Sequence, residues 1–203
     1  MVVVESASHR PEPAGCGCAP EPDRGLTLIC GPAGGGKSRW AEHLAGCSGR
    51  TVVYLATGPL LPDDPDWQQR LERHRQRRPS EWICREVGAE LSAAVSRLKA
   101  TELALIDSLG TWVAAWLDAG PTEWEGCCSE LIAALRGCAV PLLLVCEEVG
   151  WGVVPSSEVG GRFRQRLAAL EQRLMADASA AWLVLAGRAL DLHQLSVPVP
   201  PEP

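Results

Sequence analysis

The chain has one Tyr, one Phe and two Met in 203 residues, no excess of cations, and no long uncharged apolar run. A formal net charge of −6 and an isoelectric point near 5.3 leave no electrostatic footprint for nucleic acid or an anionic membrane surface. Any polyanion must therefore be held locally, at a small site. The missing apolar run argues against a membrane span, and the Pro-rich, charged segment 1–24 does not read as a signal peptide. A disulfide framework is missing too, because the nine Cys are odd in number and irregularly spaced. Cys16-Gly-Cys18 lacks the paired spacing of a zinc site and reads as part of a solvated tail.

What is present is a core-forming composition, 46% apolar, with eight Trp supplying nearly all the aromatic content. The length suits one domain, expected over 25–195, between an N-terminal tail (1–24) and a Pro-rich C-terminal tail (196–203). Apolar strand-like runs are read at Leu26 to Cys30, Thr51 to Ala56, Leu103 to Asp107, Val140 to Cys146 and Ala181 to Ala186. Helical patterns fall between them, at Ser38 to Ala45, Asp66 to Arg77, Ala89 to Lys99, Leu109 to Ala119, Glu123 to Arg136 and Gly161 to Asp177. This alternation predicts a single α/β domain with a mainly parallel sheet covered by helices on both faces.

Between the first strand and the first helix, Gly31-Pro32-Ala33-Gly34-Gly35-Gly36-Lys37-Ser38 fits G-x-x-x-x-G-K-[ST] at every specified position. The glycines let backbone N–H groups surround phosphate oxygens. Lys37 supplies a charge for the outer phosphates, and the Ser38 hydroxyl can ligand Mg²⁺ at the helix N-terminus. A domain of the phosphate-loop NTPase type, binding GTP or ATP with Mg²⁺, follows. In such a protein the thiols read as reduced and the location as cytoplasmic.

Ligands of open α/β sheets gather at the carboxyl ends of the strands. Those ends hold Thr57-Gly58, Asp107-Ser108, Glu147-Glu148 and Ala186-Gly187. Asp107 has two compatible readings, a carboxylate holding Mg²⁺, in part through water, and a helix N-cap that Ser108 could supply instead. His74 also has two. Helical spacing puts Arg70, His74 and Arg77 or Arg78 on one stripe, which is either a solvated basic face or a nucleophilic imidazole among phosphate-gathering guanidiniums.

In order and spacing these residues resemble the adenosylcobinamide kinase and adenosylcobinamide-phosphate guanylyltransferase enzymes of cobalamin biosynthesis. The resemblance runs from about Leu26 to Leu190. It is carried by the loop ending Gly36-Lys37-Ser38-Arg39, Tyr54-Leu-Ala-Thr57, Arg70…His74-Arg75…Arg78-Pro79…Trp82, Asp107-Ser-Leu-Gly-Thr-Trp112, Glu148-Val-Gly150, Arg162-Phe-Arg164 and Trp182-Leu-Val-Leu-Ala-Gly187. It implies two reactions: phosphorylation of adenosylcobinamide by a nucleoside triphosphate, then GMP transfer from GTP through a guanylylated His74. Lys37, Ser38, Asp107 and Mg²⁺ would neutralise phosphate charge, with Thr57, Gly58, Arg78 and Glu148 facing the nucleotide. A ring-like homotrimer is implied as well, with corrinoid near the subunit junctions and Trp112, Trp116, Trp124 and Trp151 available for such surfaces. Trp112 and Trp116 have the competing reading of core residues.

The chain departs from the family pattern in three places. Glu147 stands where Asn usually precedes Glu-Val-Gly, Glu171-Gln172 stands for Asn-Gln, and the loop lacks the Arg-Ser often found before Gly-Lys-Ser. Two other functions remain open from sequence: a phosphate-loop small-molecule kinase with no histidine intermediate, and a non-catalytic nucleotide-binding module.

Overall fold

A computed structural model describes residues 25–59, 61, 63–152 and 157–200, apart from the side chain of Arg70. The tail expected over 1–24, with Cys16 and Cys18, lies outside the described residues.

β1 (Leu26–Gly31) is buried along its whole length and leads through the phosphate loop into α1 (Lys37–Cys47). Then come β2 (Thr51–Ala56), α2 (Pro65–Arg77), β3 (Ile83–Glu86), α3 (Leu91–Val95), β4 (Glu102–Asp107), α4 (Leu109–Ala115) and α5 (Pro121–Gly137). β5 (Leu142–Glu147), α6 (Glu158–Met175), β6 (Ala180–Leu185), β7 (Arg188–Asp191) and α7 (Leu192–Leu195) complete the order. The strands form one sheet ordered β3-β2-β4-β5-β1-β6-β7, parallel throughout except for β6 against β7.

The period-2 alternation of the inner strands divides the core between the two faces. Leu26, Leu28 and Cys30 of β1 and Leu142, Leu144 and Cys146 of β5 point into one cluster, which α4, α5 and α6 close with Trp112, Leu131, Leu135, Leu167, Leu170 and Leu174. Ile29, Leu143 and Val145 point the other way, onto Ala41, Leu44 and Ala45 of α1. Each fully buried Leu or Ile contributes roughly 1.5–3 kcal/mol relative to its exposed state. Trp112 is core, 1% exposed, and donates its indole N–H to the Ala89 carbonyl; Trp116 and Trp124 pack on the same cluster, and Trp151 is exposed. No helix among the described residues is long and apolar enough to cross a membrane.

Local chemistry sets the ends of the elements that carry the site. Pro65 opens α2, where its missing N–H is harmless, and the Asp64 carboxylate caps it by accepting from the Trp67 N–H at 3.0 Å. Ser157 caps α6 in the same way, accepting from Gly160.

The structure differs from the sequence expectation mainly at the sheet edges. β3 was not expected, because Ile83-Cys-Arg-Glu86 is short and mostly exposed and gives no core signature. The helix expected over Ala89 to Lys99 shrinks to the five residues of α3, and that over Leu109 to Ala119 ends at Ala115. The last expected strand is followed by a tight reversal, with Ala186 at φ 50° and Gly187 at φ 76°, that sends β7 back antiparallel.

Candidate functional site

The loop from Pro32 to Gly36 closes on itself, with the Gly35 N–H donating to the Pro32 carbonyl at 3.2 Å. Lys37, only 7% exposed, donates from Nζ to the same carbonyl at 2.9 Å, so its ammonium is folded onto the loop. Ala33 and Gly34 are exposed at the tip, and the half-buried Ser38 hydroxyl has no partner among the described residues. Gly31, at φ 147°, and Gly35 both press against the Val184 carbonyl of β6, where no Cβ would fit. From the β6–β7 turn the Gly187 N–H donates to Gly35 at 3.0 Å, so β6 and its turn support the loop from behind.

β5 lies between β1 and β4, and the register aligns Gly31 with Glu147 and Asp107 with Val145. The strand ends therefore form a shelf beside the loop. On it the Tyr54 hydroxyl donates to Asp107 Oδ2 at 2.7 Å, and the Arg78 guanidinium lies 3.4 Å over the Tyr54 ring. Burial, reinforced by the Asp107 charge, pushes the Tyr54 phenol far above its usual range, so it stays a donor. Arg78 Nε is buried and unpartnered among the described residues.

α2 brings His74 onto this shelf. Its Nδ1 is 3.7 Å from Asp107 Oδ2, with the His74 and Asp107 side chains 20% and 12% exposed. Arg77 Nη2 lies 3.4 Å from the same Nδ1, but its guanidinium is held by both carboxylate oxygens of Glu42 on α1, at 3.1 and 3.3 Å. An imidazole is thus held between a carboxylate and a guanidinium at the carboxyl ends of the strands. Arg70, expected on the same stripe, is outside the described side chains.

Two other expected residues act on the backbone. Thr57 is 1% exposed, and its hydroxyl accepts from the Ser108 N–H at 2.8 Å and lies 2.6 Å from the Ser108 carbonyl. It ties the end of β2 to the end of β4. Gly58 faces the Trp67 ring, where a Cβ would come within 2.9 Å of Cζ2. Ser108 is the N-cap residue of α4, which leaves the Asp107 carboxylate directed to Tyr54 and His74. Glu148 is half-buried and fixed through its backbone, donating its N–H to the Gly31 carbonyl at 2.9 Å.

The carboxylate at 147, a departure from the family pattern, accepts from Ser108 Oγ through one oxygen and from the Gly110 N–H at 2.8 Å through the other. It joins the end of β5 to the N-terminus of α4. Burial raises its pKa, and the Ser108 hydrogen bond opposes the rise. Beneath the shelf, Glu171 on α6 sits with Cys30 and Cys146, their ligating atoms all within 4.8 Å of one another. Desolvation pushes Glu171 up to about 7, and its Oε1 has no partner among the described residues. Sequence reading missed this group, although a Glu at a helical core position beside Leu167, Leu170 and Leu174 was the available signal.

The hard oxygen donors of Ser38 and Asp107 fit Mg²⁺ by donor chemistry, while the Cys-rich group below does not. With Lys37 beside them, the site combines an anion cradle with a strand-end carboxylate and a half-buried imidazole.

Two curated relatives are bifunctional adenosylcobalamin biosynthesis proteins: CobU of Escherichia coli strain K12, 35% identical over 80% of this chain and 96% of its own, and CobP of Pseudomonas aeruginosa, 33% identical over 81% and 95%. Among solved structures, an ATPase of a bacterial type III secretion system superposes with a TM-score of 0.50 at 10% identity, covering 86% of this chain and 59% of that one, a likeness of fold alone. A mainly parallel sheet with helices on both faces and the phosphate loop after β1 makes this an α/β domain of the phosphate-loop NTPase type. The matched family model spans residues 27–192, from β1 into α7, and takes in every side chain of the shelf; the chain belongs to the cobinamide kinase / cobinamide phosphate guanyltransferase family.

Proposed function

We propose that this chain phosphorylates the aminopropanol hydroxyl of adenosylcobinamide and then transfers GMP from GTP to the new phosphate through His74, giving adenosylcobinamide-GDP. The observation that carries this reading is the placement of His74 Nδ1 3.7 Å from Asp107 Oδ2, on the shelf beside the phosphate loop.

In the kinase step the loop amides and Lys37 hold the β- and γ-phosphates, and the substrate hydroxyl oxygen attacks the γ-phosphorus as the bond to the β-phosphate breaks. Mg²⁺, held by Ser38 and Asp107, would supply charge neutralisation at the phosphate oxygens.

In the second reaction an imidazole nitrogen of His74 attacks the α-phosphorus of GTP and pyrophosphate leaves. The corrinoid phosphate oxygen then attacks the same phosphorus and releases His74. For Nε2 to be the nucleophile, the ring proton must sit on Nδ1, and Asp107 is the acceptor facing that nitrogen. Arg77 would draw the Nδ1 lone pair and favour the other tautomer, which its capture by Glu42 opposes. α2 is anchored near its start by the Asp64 cap and near its end by the Arg77–Glu42 pair, which fixes where His74 stands on the shelf.

The test is incubation with Mg²⁺ and α-phosphate-labelled GTP, followed by denaturation. Wild type is expected to retain an acid-labile, base-stable label that His74→Ala loses while still binding GTP. A His74→Ala variant with full GMP transfer would refute the histidine route and leave a kinase.

A further inference from the structure

On the side of the loop away from His74 lies a cavity of about 220 Å³ that none of the chemistry above uses. It starts at Gly36, where the loop enters α1, and is walled by Arg39 and Trp40 of α1 and by Gly187 and Arg188 of the β6–β7 hairpin. Sheet order separates the flanks. β2 and β4, which carry the shelf, lie on one side of β1, and β6 and β7 lie on the other. A nucleotide with its phosphates in the loop finds the His74 flank filled by paired side chains, while this flank is open.

We propose that this cavity takes the purine base of the bound nucleotide and that Arg188 selects guanine over adenine. The inference rests on the reading of this chain as a GTP-using enzyme.

Three features carry it. First, Arg39 and Arg188 are exposed and neither makes an ion pair or hydrogen bond among the described residues, in a chain of net charge −6 with many carboxylates to spare. Unpaired guanidiniums gathered beside an anion cradle await a ligand that brings acceptors. Second, Trp40 gives the cavity an aromatic wall, braced by Trp182 at a ring separation of 5.1 Å, and its indole N–H is buried without a partner among the described residues. Third, the two arginines are placed differently. Arg39 Nη2 lies 3.5 Å from the position a Cβ on Gly36 would occupy and so stays on the loop side, whereas Arg188 sits on β7 at the far wall. The planar fork of Arg188 matches two adjacent acceptors, which guanine presents at O6 and N7. Adenine places an N6 donor beside its N7 acceptor, leaving one guanidinium N–H opposed.

The experiment is calorimetric titration of the full chain and of Arg188→Ala and Arg188→Lys with GDP, ADP and inorganic tripolyphosphate. Wild type is expected to bind GDP more tightly than ADP. Arg188→Ala should lose about tenfold in GDP affinity with ADP and tripolyphosphate unchanged, and Arg188→Lys, which keeps the charge and loses the fork, should also lose the guanine preference. Equal losses for all three ligands would make Arg188 a phosphate clamp and overturn the inference, as would unchanged GDP binding or no wild-type preference for GDP. A wild type that binds tripolyphosphate but neither nucleotide overturns this inference through the cavity. One that binds none of the three overturns the nucleotide reading with it.

Discussion

The two flanks of the phosphate loop are built in opposite ways. Toward β2, β4 and α2 the groups are matched within the protein: His74 to Asp107, Asp107 to Tyr54, Arg77 to Glu42, and Glu147 to Ser108 and Gly110. Toward β6 and β7, the Arg39 and Arg188 side chains have no such partners among the described residues. The difference separates two tasks. Groups that must meet developing charge gain from being fixed before substrate arrives, since no reorganisation is then needed during reaction. Groups that recognise a ligand gain from holding their donors open, since binding then exchanges water for the ligand rather than breaking an internal pair.

Variants at the loop itself and at its matched flank should break function most. Lys37→Ala is expected to lower both transfers by at least about 10²-fold, read as single-turnover rates with labelled nucleotide, because no other group donates charge from within the loop. Asp107→Asn should slow protein guanylylation by about 10²-fold and also depress the kinase step, because the residue both faces His74 and fits the metal. A variant slowed only in phosphorylation would separate those roles.

Glu42→Gln sharpens the comparison by freeing Arg77. Its expected effect is smaller, about three- to tenfold on guanylylation, with the kinase rate unchanged and thermal stability little altered, as the Arg77 guanidinium it frees is more than a third exposed and can turn to water. Equal losses in both reactions would reduce Glu42 to a general support of α1.

Glu171→Gln should leave both flanks working and change stability instead. The folded-state pKa is raised from 4.5 to about 7, so between these values the folded chain holds more protons than the unfolded chain. Stability from this group is therefore complete below about pH 4.5 and is lost as pH rises to about 7. The substitution should stabilise the fold at pH 8 by at most about 3 kcal/mol, read as a higher Tm, and give no gain at pH 4.5, as followed by thermal denaturation across that range.

Much of the architecture was legible because the central strands are continuous apolar runs and the loop has fixed glycine spacing. Leu103 to Asp107 and Thr51 to Ala56 read as buried strands because each carries side chains into both faces of the sheet. Edge elements left no such trace. Ile83–Glu86 is a strand because β2 offers it a ladder, and Arg188–Asp191 is one because the Ala186–Gly187 turn folds it back. At the site, sequence singled out Lys37, His74 and Asp107, and the family resemblance singled out Arg78. It did not foresee that Tyr54 would hold Asp107, because a strand residue's reach across to β4 depends on register. Nor did it reveal that Glu147 would bind the N-terminus of α4 or that Thr57 would be consumed by Ser108.

The support of the phosphate loop by the last hairpin also bears on how the chain is made. The motif is written within the first fifth of the sequence, yet its glycines rest on Val184 and Gly187, and the neighbouring strand is pinned by Ser179 to Leu26 across 153 positions. On a ribosome, the cradle is translated well before its support and remains unfinished until the β6–β7 hairpin has emerged, so a nascent chain stopped short of that hairpin carries the motif without the site.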